Sequence, residues 1–278
     1  MSISAAEVNK LRQLTGAGLM DCKKALQESN GDMDAAVELL RAKGAKISAK
    51  RADRSASEGA IIAITNESND LGVVVELNCE TDFVGKNEGF VALANQIAQI
   101  ALESKAKSKE ELLNQTIDGV AISARLLDEM AKIGEKIELG SYGIIEGTNV
   151  VPYIHGGNKL GVLVNLNKTA NDSNREAGKD VAMQIAAMNP VALDQSSVSP
   201  ETVERELAVG REQALAEGKP EQIVEKIAQG KLNKFFKDNT LMKQDFVKDS
   251  SKSVEKMLSE VEEGLTVTEF CRIQLGAS

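Results

Sequence analysis

Apolar residues recur at helical spacing from the start of the chain. Val8, Leu11 and Leu14 form a stripe behind Ser4, and Glu7 stands at the capping-box position, so a helix is expected over 4–15. Thr15-Gly16-Ala17-Gly18 breaks it. A second helix is expected over 19–29, ending at Asn30-Gly31. A third, over 32–43, puts Met33, Ala36, Val37 and Leu40 on one face before Gly44. Three short helices make a compact N-terminal module. The next stretch, 43–54, has no wide apolar face and carries Lys43, Lys46, Lys50, Arg51 and Arg54 against Asp53. It reads as a linker, part of it open to helix. A solvated connector is the ordinary fate of such a charge run, and a docking patch for an acidic partner is the alternative.

The period then changes. Residues 59–65 and 71–78 are β-rich runs separated by Asn66-Glu67-Ser68-Asn69-Asp70, which predicts a hairpin. Asn87 caps a helix with Phe90, Ala94, Ile97 and Ala101 on one face, and a further helical stretch is expected over 109–132, ending at Ile133-Gly134. The pattern restarts with strands at 140–146, 150–155 and 160–167, the last two joined by Gly156-Gly157-Asn158. Leu71-Gly72-Val73-Val74-Val75-Glu76-Leu77-Asn78 aligns with Leu160-Gly161-Val162-Leu163-Val164-Asn165-Leu166-Asn167, and a Gln-Ile-Ala helix follows each, at Gln96 and at Gln184. This internal repeat predicts a core of two similar strand-plus-helix halves.

Ser199-Pro200-Glu201 starts a helix whose seam is Val203, Leu207, Gly210 and Ala214. Gly218-Lys219-Pro220 stops it, and Ile223, Ile227 and Phe235 mark a return helix. So short a connection makes the two antiparallel, and so thin a seam of small residues suits a protruding hairpin. A last helix is expected at 254–258 and a closing strand at 265–275. The fold class is α+β. The expected divisions are 1–54 for the three helices with the basic linker, 55–139 for one core half, 140–195 with 239–278 for the other, and 196–238 for the hairpin.

Composition narrows the function. The 278 residues include 33 Lys and Arg against 42 Asp and Glu, a net charge of -9, with 42% hydrophobic residues. That charge argues against direct nucleic-acid or anionic-membrane binding, which relies on cations neutralising phosphates. Two Tyr, six Phe and no Trp leave few rings for base stacking. Cys22, Cys79 and Cys271 form no CxxC pair, so neither a disulfide framework nor a zinc site is drawn, and the thiols read as reduced. The N-terminus has no basic segment followed by an apolar stretch, and no run approaches the length of a membrane span, so a cytoplasmic protein is expected. His155 is the only imidazole, which removes most His-based enzyme templates.

Individual motifs add little chemistry. Gly16-Ala17-Gly18 lacks a preceding strand and a third glycine, so it does not cradle a dinucleotide, and no phosphate-loop sequence is present. Cys79 stands beside Glu80 and Asp82, whose charges disfavour a thiolate, so a buried structural thiol is expected over a nucleophile. His155 reads as a turn residue. Phe83 lies between a strand end and a helix cap, where a residue folded onto the core and an exposed anchor are both open. From the residues alone, this is an acidic interaction protein of mixed class needing no cofactor or metal.

Four ordered segments carry a family resemblance. Thr15-Gly16-Ala17-Gly18-Leu19-Met20-Asp21-Cys22-Lys23-Lys24-Ala25-Leu26 and Asn78-Cys79-Glu80-Thr81-Asp82-Phe83-Val84 resemble the two signatures of the bacterial elongation factor Ts family. Lys132-Ile133-Gly134-Glu135 and Tyr153-Ile154-His155-Gly156-Gly157 match two more of its segments. The resemblance implies a three-helix, ubiquitin-associated-like (UBA-like) domain, two related α/β core subdomains of antiparallel strands plus helices, and an inserted antiparallel coiled-coil hairpin. It implies guanine nucleotide exchange on elongation factor Tu, GDP-bound and nucleotide-free, by binding and without chemical catalysis.

The same resemblance makes Thr81, Asp82, Phe83 and Val84 the exchange loop, with Asp82 and Phe83 acting on the Mg²⁺ and phosphate end of the partner's site. It assigns Arg12, Leu19, Met20 and Lys23 to the N-terminal contact. Ile133, Gly134, His155, Gly156, Phe246 and Val247 become core contacts. The hairpin seam leaves open self-association, as a homodimer or a 2:2 complex, against an extra partner contact. Longer members continue into a C-terminal helical module, whereas the sequence here stops at Gly276-Ala277-Ser278, from which a weaker contact is expected.

Overall fold

The computed structural model describes residues 3–51 and 53–277. Met1, Ser2, Ala52 and Ser278, which belong to the expected end divisions and linker, lie outside the described residues. Helix α1 (Ala5–Thr15) starts at the expected capping box: the Ser4 hydroxyl accepts from the Glu7 amide at 3.2 Å, and the Glu7 carboxylate accepts from the Ser4 amide at 2.8 Å. With α2 (Leu19–Glu28) and α3 (Met33–Lys50) it buries Val8, Leu11, Cys22, Leu26, Ala36 and Leu40 in a small core of its own.

Helix α3 does not stop at Gly44. The glycine is a point of close approach: a Cβ there would lie 2.1 Å from the backbone oxygen of Leu127, so α3 runs on to Lys50 across a second helix. The expected linker is therefore mostly helix, and three of its cations are partnered within the chain. Lys43 pairs with Asp21 at 2.6 Å, and Arg51 and Arg54 pair with Glu80 at 2.5 and 3.8 Å.

Strands β1 (Glu58–Thr65) and β2 (Leu71–Cys79) form the expected hairpin. A one-turn helix α4 (Asp82–Gly85) and the long α5 (Glu88–Ser104), capped by Asn87, follow. The stretch expected as one helix over 109–132 is broken into α6 (Lys109–Leu113), a miniature hairpin of β3 (Thr116–Ile117) and β4 (Val120–Ala121), and α7 (Ile122–Ile133). Asp118 and Gly119, both at positive φ, make its turn, so a local Asp-Gly turn overrides the helical period. Strand β5 (Glu138–Glu146) then pairs with β2, giving the order β1-β2-β5. The expected division between 139 and 140 would cut this strand from its sheet; the first sheet extends to Glu146.

The second sheet has the order β10-β7-β6, from β6 (Asn149–His155), β7 (Leu160–Leu166) and β10 (Val267–Gln274). Helix α8 (Asp172–Met188) covers it. Next come α9 (Pro200–Ala216) and α10 (Glu221–Asn239), then a hairpin of β8 (Asp245–Phe246) and β9 (Asp249–Ser253), and α11 (Val254–Val261). Helices α9 and α10 leave and rejoin the core at one place, where the Val191 amide donates to Asn239 and the Leu241 amide to Ala192, both at 2.9 Å. Gly210 and Ala214 pack as expected, but the facing residues are Val224, Ala228, Leu232 and Phe236. The expected Ile223 is 42% exposed: the helices meet at Gly210, where a Cβ would lie 3.0 Å from the Ala228 backbone, and the register is set one residue on.

The repeated segments are the two central strands, each buried on both faces. Outward, Val73, Val75 and Leu77 pack on α5 and α7, while Val162, Val164 and Leu166 pack on α8 and α11. Inward, Ile61, Val74, Ile145, Val150, Leu163 and Ile273 form one core between the sheets, a helix-sheet-sheet-helix stack.

All three thiols belong to packed regions. Burial, with the Glu135 charge behind it, pushes the Cys79 thiol up to about 12. Burial takes Cys271 up to about 11 and raises Cys22 as well. At about pH 8 the folded chain therefore reacts with a thiol reagent at none of its three cysteines within minutes, and at all three once unfolded. Labelling of Cys79 at the rate of a free thiol would contradict this burial. For Gly44→Ala, helix propensity alone predicts a gain of about 1 kcal/mol. The clash with Leu127 reverses the sign, and a net loss of about 2 kcal/mol is expected from denaturant midpoints.

Candidate functional site

Strand β2 ends at Cys79, whose thiol donates to the Thr81 carbonyl at 3.1 Å. Thr81 caps α4, its hydroxyl accepting from the Val84 amide at 3.4 Å. Val84 packs onto the core, so the turn is pinned at both ends and its middle projects. Phe83, in that middle, is 84% exposed, the most of any large hydrophobic side chain among the described residues. The folded-back alternative does not hold. Asp82 pairs with Lys86 at 2.6 Å, and this bond holds its carboxyl below the usual range.

Two carboxylates cross between this turn and the segment after α7. The Glu135 carboxylate accepts from the amides of Glu80 and Thr81, both at 3.1 Å, and from the Thr81 hydroxyl at 2.7 Å. In return the Glu80 carboxylate accepts from the Lys136 amide at 2.7 Å and from the Arg51 guanidinium at 2.5 and 2.7 Å. Burial pushes the Glu80 carboxyl up, but the Lys136 amide and Arg51 outweigh it, and the net direction is down. Ile133, half-buried on the core, and Gly134, which ends α7 at φ 82°, are thereby held beside the Phe83 turn. Sequence reasoning left out Glu80, Glu135 and Arg51. Glu80 and Glu135 stand inside the quoted motifs, but nothing local links residues so far apart.

On its other side the turn faces the β6–β7 connection. Gly156, Gly157 and Asn158 all take positive φ, and the Asn158 carbonyl accepts from the Ile61 amide of β1 at 2.8 Å. A cleft of about 220 Å³ lies between, lined by Asp82, Lys86, Gly157, Asn158 and Lys159 among others. His155 and Gly156 are exposed there, with the His155 Nδ1 2.9 Å from the Tyr153 hydroxyl.

The N-terminal module docks against α7. Arg41 pairs with Asp128 at 3.3 Å, and a Cβ on Gly16 would lie 3.1 Å from the Lys132 side chain. Arg12, Leu19, Met20 and Lys23 are all exposed, Met20 at 72%; the last three help line a groove of about 350 Å³. The structure thus brings 81–84, 133–134 and 155–156 together, with the Thr15–Gly18 turn of the module close to Lys132.

Phe246 is a correction. It is 4% exposed and belongs to the core under α8 and α11, so it presents nothing to a partner. Its neighbour Val247 is 46% exposed, on a hairpin tied to α8 where the Gln184 side chain accepts from the Val247 amide at 2.8 Å. The short apolar pair reads alike from sequence, but Phe246 ends β8 facing the core whereas Val247 stands in the turn to β9.

Among the described residues, no three or more His, Cys, Asp or Glu side chains stand together to hold a metal ion, and no helix is long and apolar enough to cross a membrane. What the surface offers is a lone exposed aromatic ring on a rigid mount, flanked by exposed polar and apolar side chains. That is a docking geometry.

The family model described as "Elongation factor TS" matches residues 80–277, a span that includes the Phe83 turn. Elongation factor Ts of Amoebophilus asiaticus is 51% identical over 277 residues, covering 100% of both chains. That of Cytophaga hutchinsonii is 52% identical over 275 residues, covering 99% of each, and that of Christiangramia forsetii 51% over 274 residues with the same coverage. Identity at this level along the whole length leaves one assignment: the chain belongs to the elongation factor Ts family.

Proposed function

We propose that this chain is a guanine nucleotide exchange factor for elongation factor Tu in translation elongation, acting in the cytoplasm by protein–protein binding with no covalent chemistry and no cofactor of its own. The observation that carries the reading is Phe83, a fully presented ring on a turn anchored at both ends. A mobile aromatic would lose much of its binding energy to ordering, whereas a mounted one keeps it for the partner.

In this reading α1–α3 are a UBA-like domain, and Arg12, Leu19, Met20 and Lys23 form its contact with the partner's nucleotide domain. Residues 55–146 and 147–195 with 239–277 are the two core subdomains. Helices α9 and α10 are the inserted coiled-coil hairpin. Asp82 and Phe83, with Thr81 and Val84 as their mount, enter an apolar pocket and disturb the Mg²⁺ and phosphate end of the GDP site. Ile133, Gly134, His155 and Gly156 contact the partner around them, with Val247 as an outlying contact.

The physics is linkage. A factor that binds nucleotide-free partner more tightly than GDP-bound partner must weaken GDP by the same ratio. A coupling of about 3 kcal/mol weakens it about 150-fold. A wedge serves this because it differs between the two states, where uniform contacts would only raise affinity.

Stopped-flow release of a fluorescent GDP from elongation factor Tu, as this chain is titrated in, tests the reading: the release rate rises with concentration and saturates. For Phe83→Ala the saturating rate falls at least about tenfold while the dissociation constant of the complex rises less than about threefold. If both change in proportion, the ring is only an anchor; a flat rate despite binding makes the chain an adaptor.

A further inference from the structure

We propose that Glu135 is the positioning residue of the Asp82–Phe83 turn, its carboxylate holding Thr81 in the orientation that caps α4; the role rests on the exchange-factor reading given above. A four-residue helix has no stability of its own, because nucleation costs more than one turn of hydrogen bonds returns. Its geometry must therefore come from its ends, and at the N-terminal end the Thr81 amide and hydroxyl both lead to Glu135, while the Cys79 thiol holds the Thr81 carbonyl.

The Thr81 hydroxyl has one proton. It donates that proton to Glu135 Oε1 at 2.7 Å, which turns its lone pairs toward the Val84 amide, 3.4 Å away. Glu135 Oε2 meanwhile accepts from the Glu80 and Thr81 amides, the two donors that immediately precede the helix. One carboxylate thus satisfies three donors of one chain segment, and charge-assisted bonds of this kind are the strong ones. The return contact from Glu80 to the Lys136 amide locks the two segments in register. Glu135 itself follows Gly134, the left-handed residue that ends α7, so the carboxylate is placed by a helix docked against α3.

The consequence for exchange is specific. Phe83 is two residues beyond Thr81 and makes up the exposed crest of α4, so a loosened cap leaves the ring attached but free to swing. Such a ring still finds its pocket, and affinity survives in large part. What it loses is the fixed direction from which a wedge displaces the partner's nucleotide site.

Glu135→Gln is the test, since it preserves size and removes the charge and one of the two acceptors. In the free chain, amide hydrogen exchange at residues 81–85 should accelerate about tenfold, while the amides of β2 and α5 keep their protection. In the complex, the saturating GDP-release rate should fall about fivefold or more with the dissociation constant within about threefold, a split that a general loss of folded protein does not produce. If Glu135→Gln fails to fold, Thr81→Val removes the hydroxyl that Glu135 holds and should give the same loss of protection at 83–85.

Unchanged protection at 81–85 overturns the clamp. Lost protection with an unchanged release rate overturns its role in exchange. A native chain that leaves GDP release unaffected overturns the exchange reading, and the positioning role with it, while the hydrogen-exchange arm still judges the clamp on the chain alone.

Discussion

The close approach of the two sheets through their central glycines is the constraint on which the rest of the molecule is hung. A Cβ on Gly72 would lie 2.6 Å from Val150 and 3.2 Å from Leu163 of the opposite sheet; a Cβ on Gly161 would lie 2.6 Å from Ile61 and 2.9 Å from Val74. The two glycines occupy the same place in the repeated segments, so each half of the core supplies the gap that the other half fills. Only at that separation do Ile61, Val74, Leu163 and Ile273 share one dry interior, and only then does the β6–β7 turn reach β1 to accept the Ile61 amide. The face carrying Phe83 on one side and His155 on the other follows from this contact.

A second joint aligns the N-terminal module with that face. Gly44 lets α3 lie against the backbone of α7, and Arg41 reaches Asp128, whose carboxyl burial pushes up while the guanidinium opposes it. Arg51, one residue past α3, grips Glu80 at the root of the Phe83 turn. The module, the end of α7 and the turn are thus one connected frame. In a chain of net charge -9 much of the basic stretch after Leu40 is taken up by carboxylates of the chain itself. Arg41 and Arg51 neutralise carboxylates of this frame, and because these two pairs are partly buried they are screened less by salt than open surface pairs.

Much of this was legible in the residues. The capping box at Ser4 and Glu7, the Asn87 cap, the Ser199-Pro200 start and the repeat of Leu-Gly-Val are all local signals, and each element formed where its signal stood. The errors have one physical type. Gly44 looked like a helix stop and is a packing glycine; 109–132 looked like one helix although Asp118-Gly119 turns it; the β5 strand looked like the opening of the second half and pairs with the first. In each case a contact with a distant segment, or a turn whose effect exceeds its length, outweighed periodicity.

The amino-acid order by itself determined the three helices, the two repeated strands, the hairpin helices and the four family motifs, because capping, period and turn chemistry act over a few residues. Only the tertiary structure decided that Phe83 points outward and Phe246 inward, and that Glu135 grips Thr81 from 54 positions away. Those outcomes depend on which surfaces meet when the two sheets and α7 close together, and no pattern confined to a short stretch of chain contains that information.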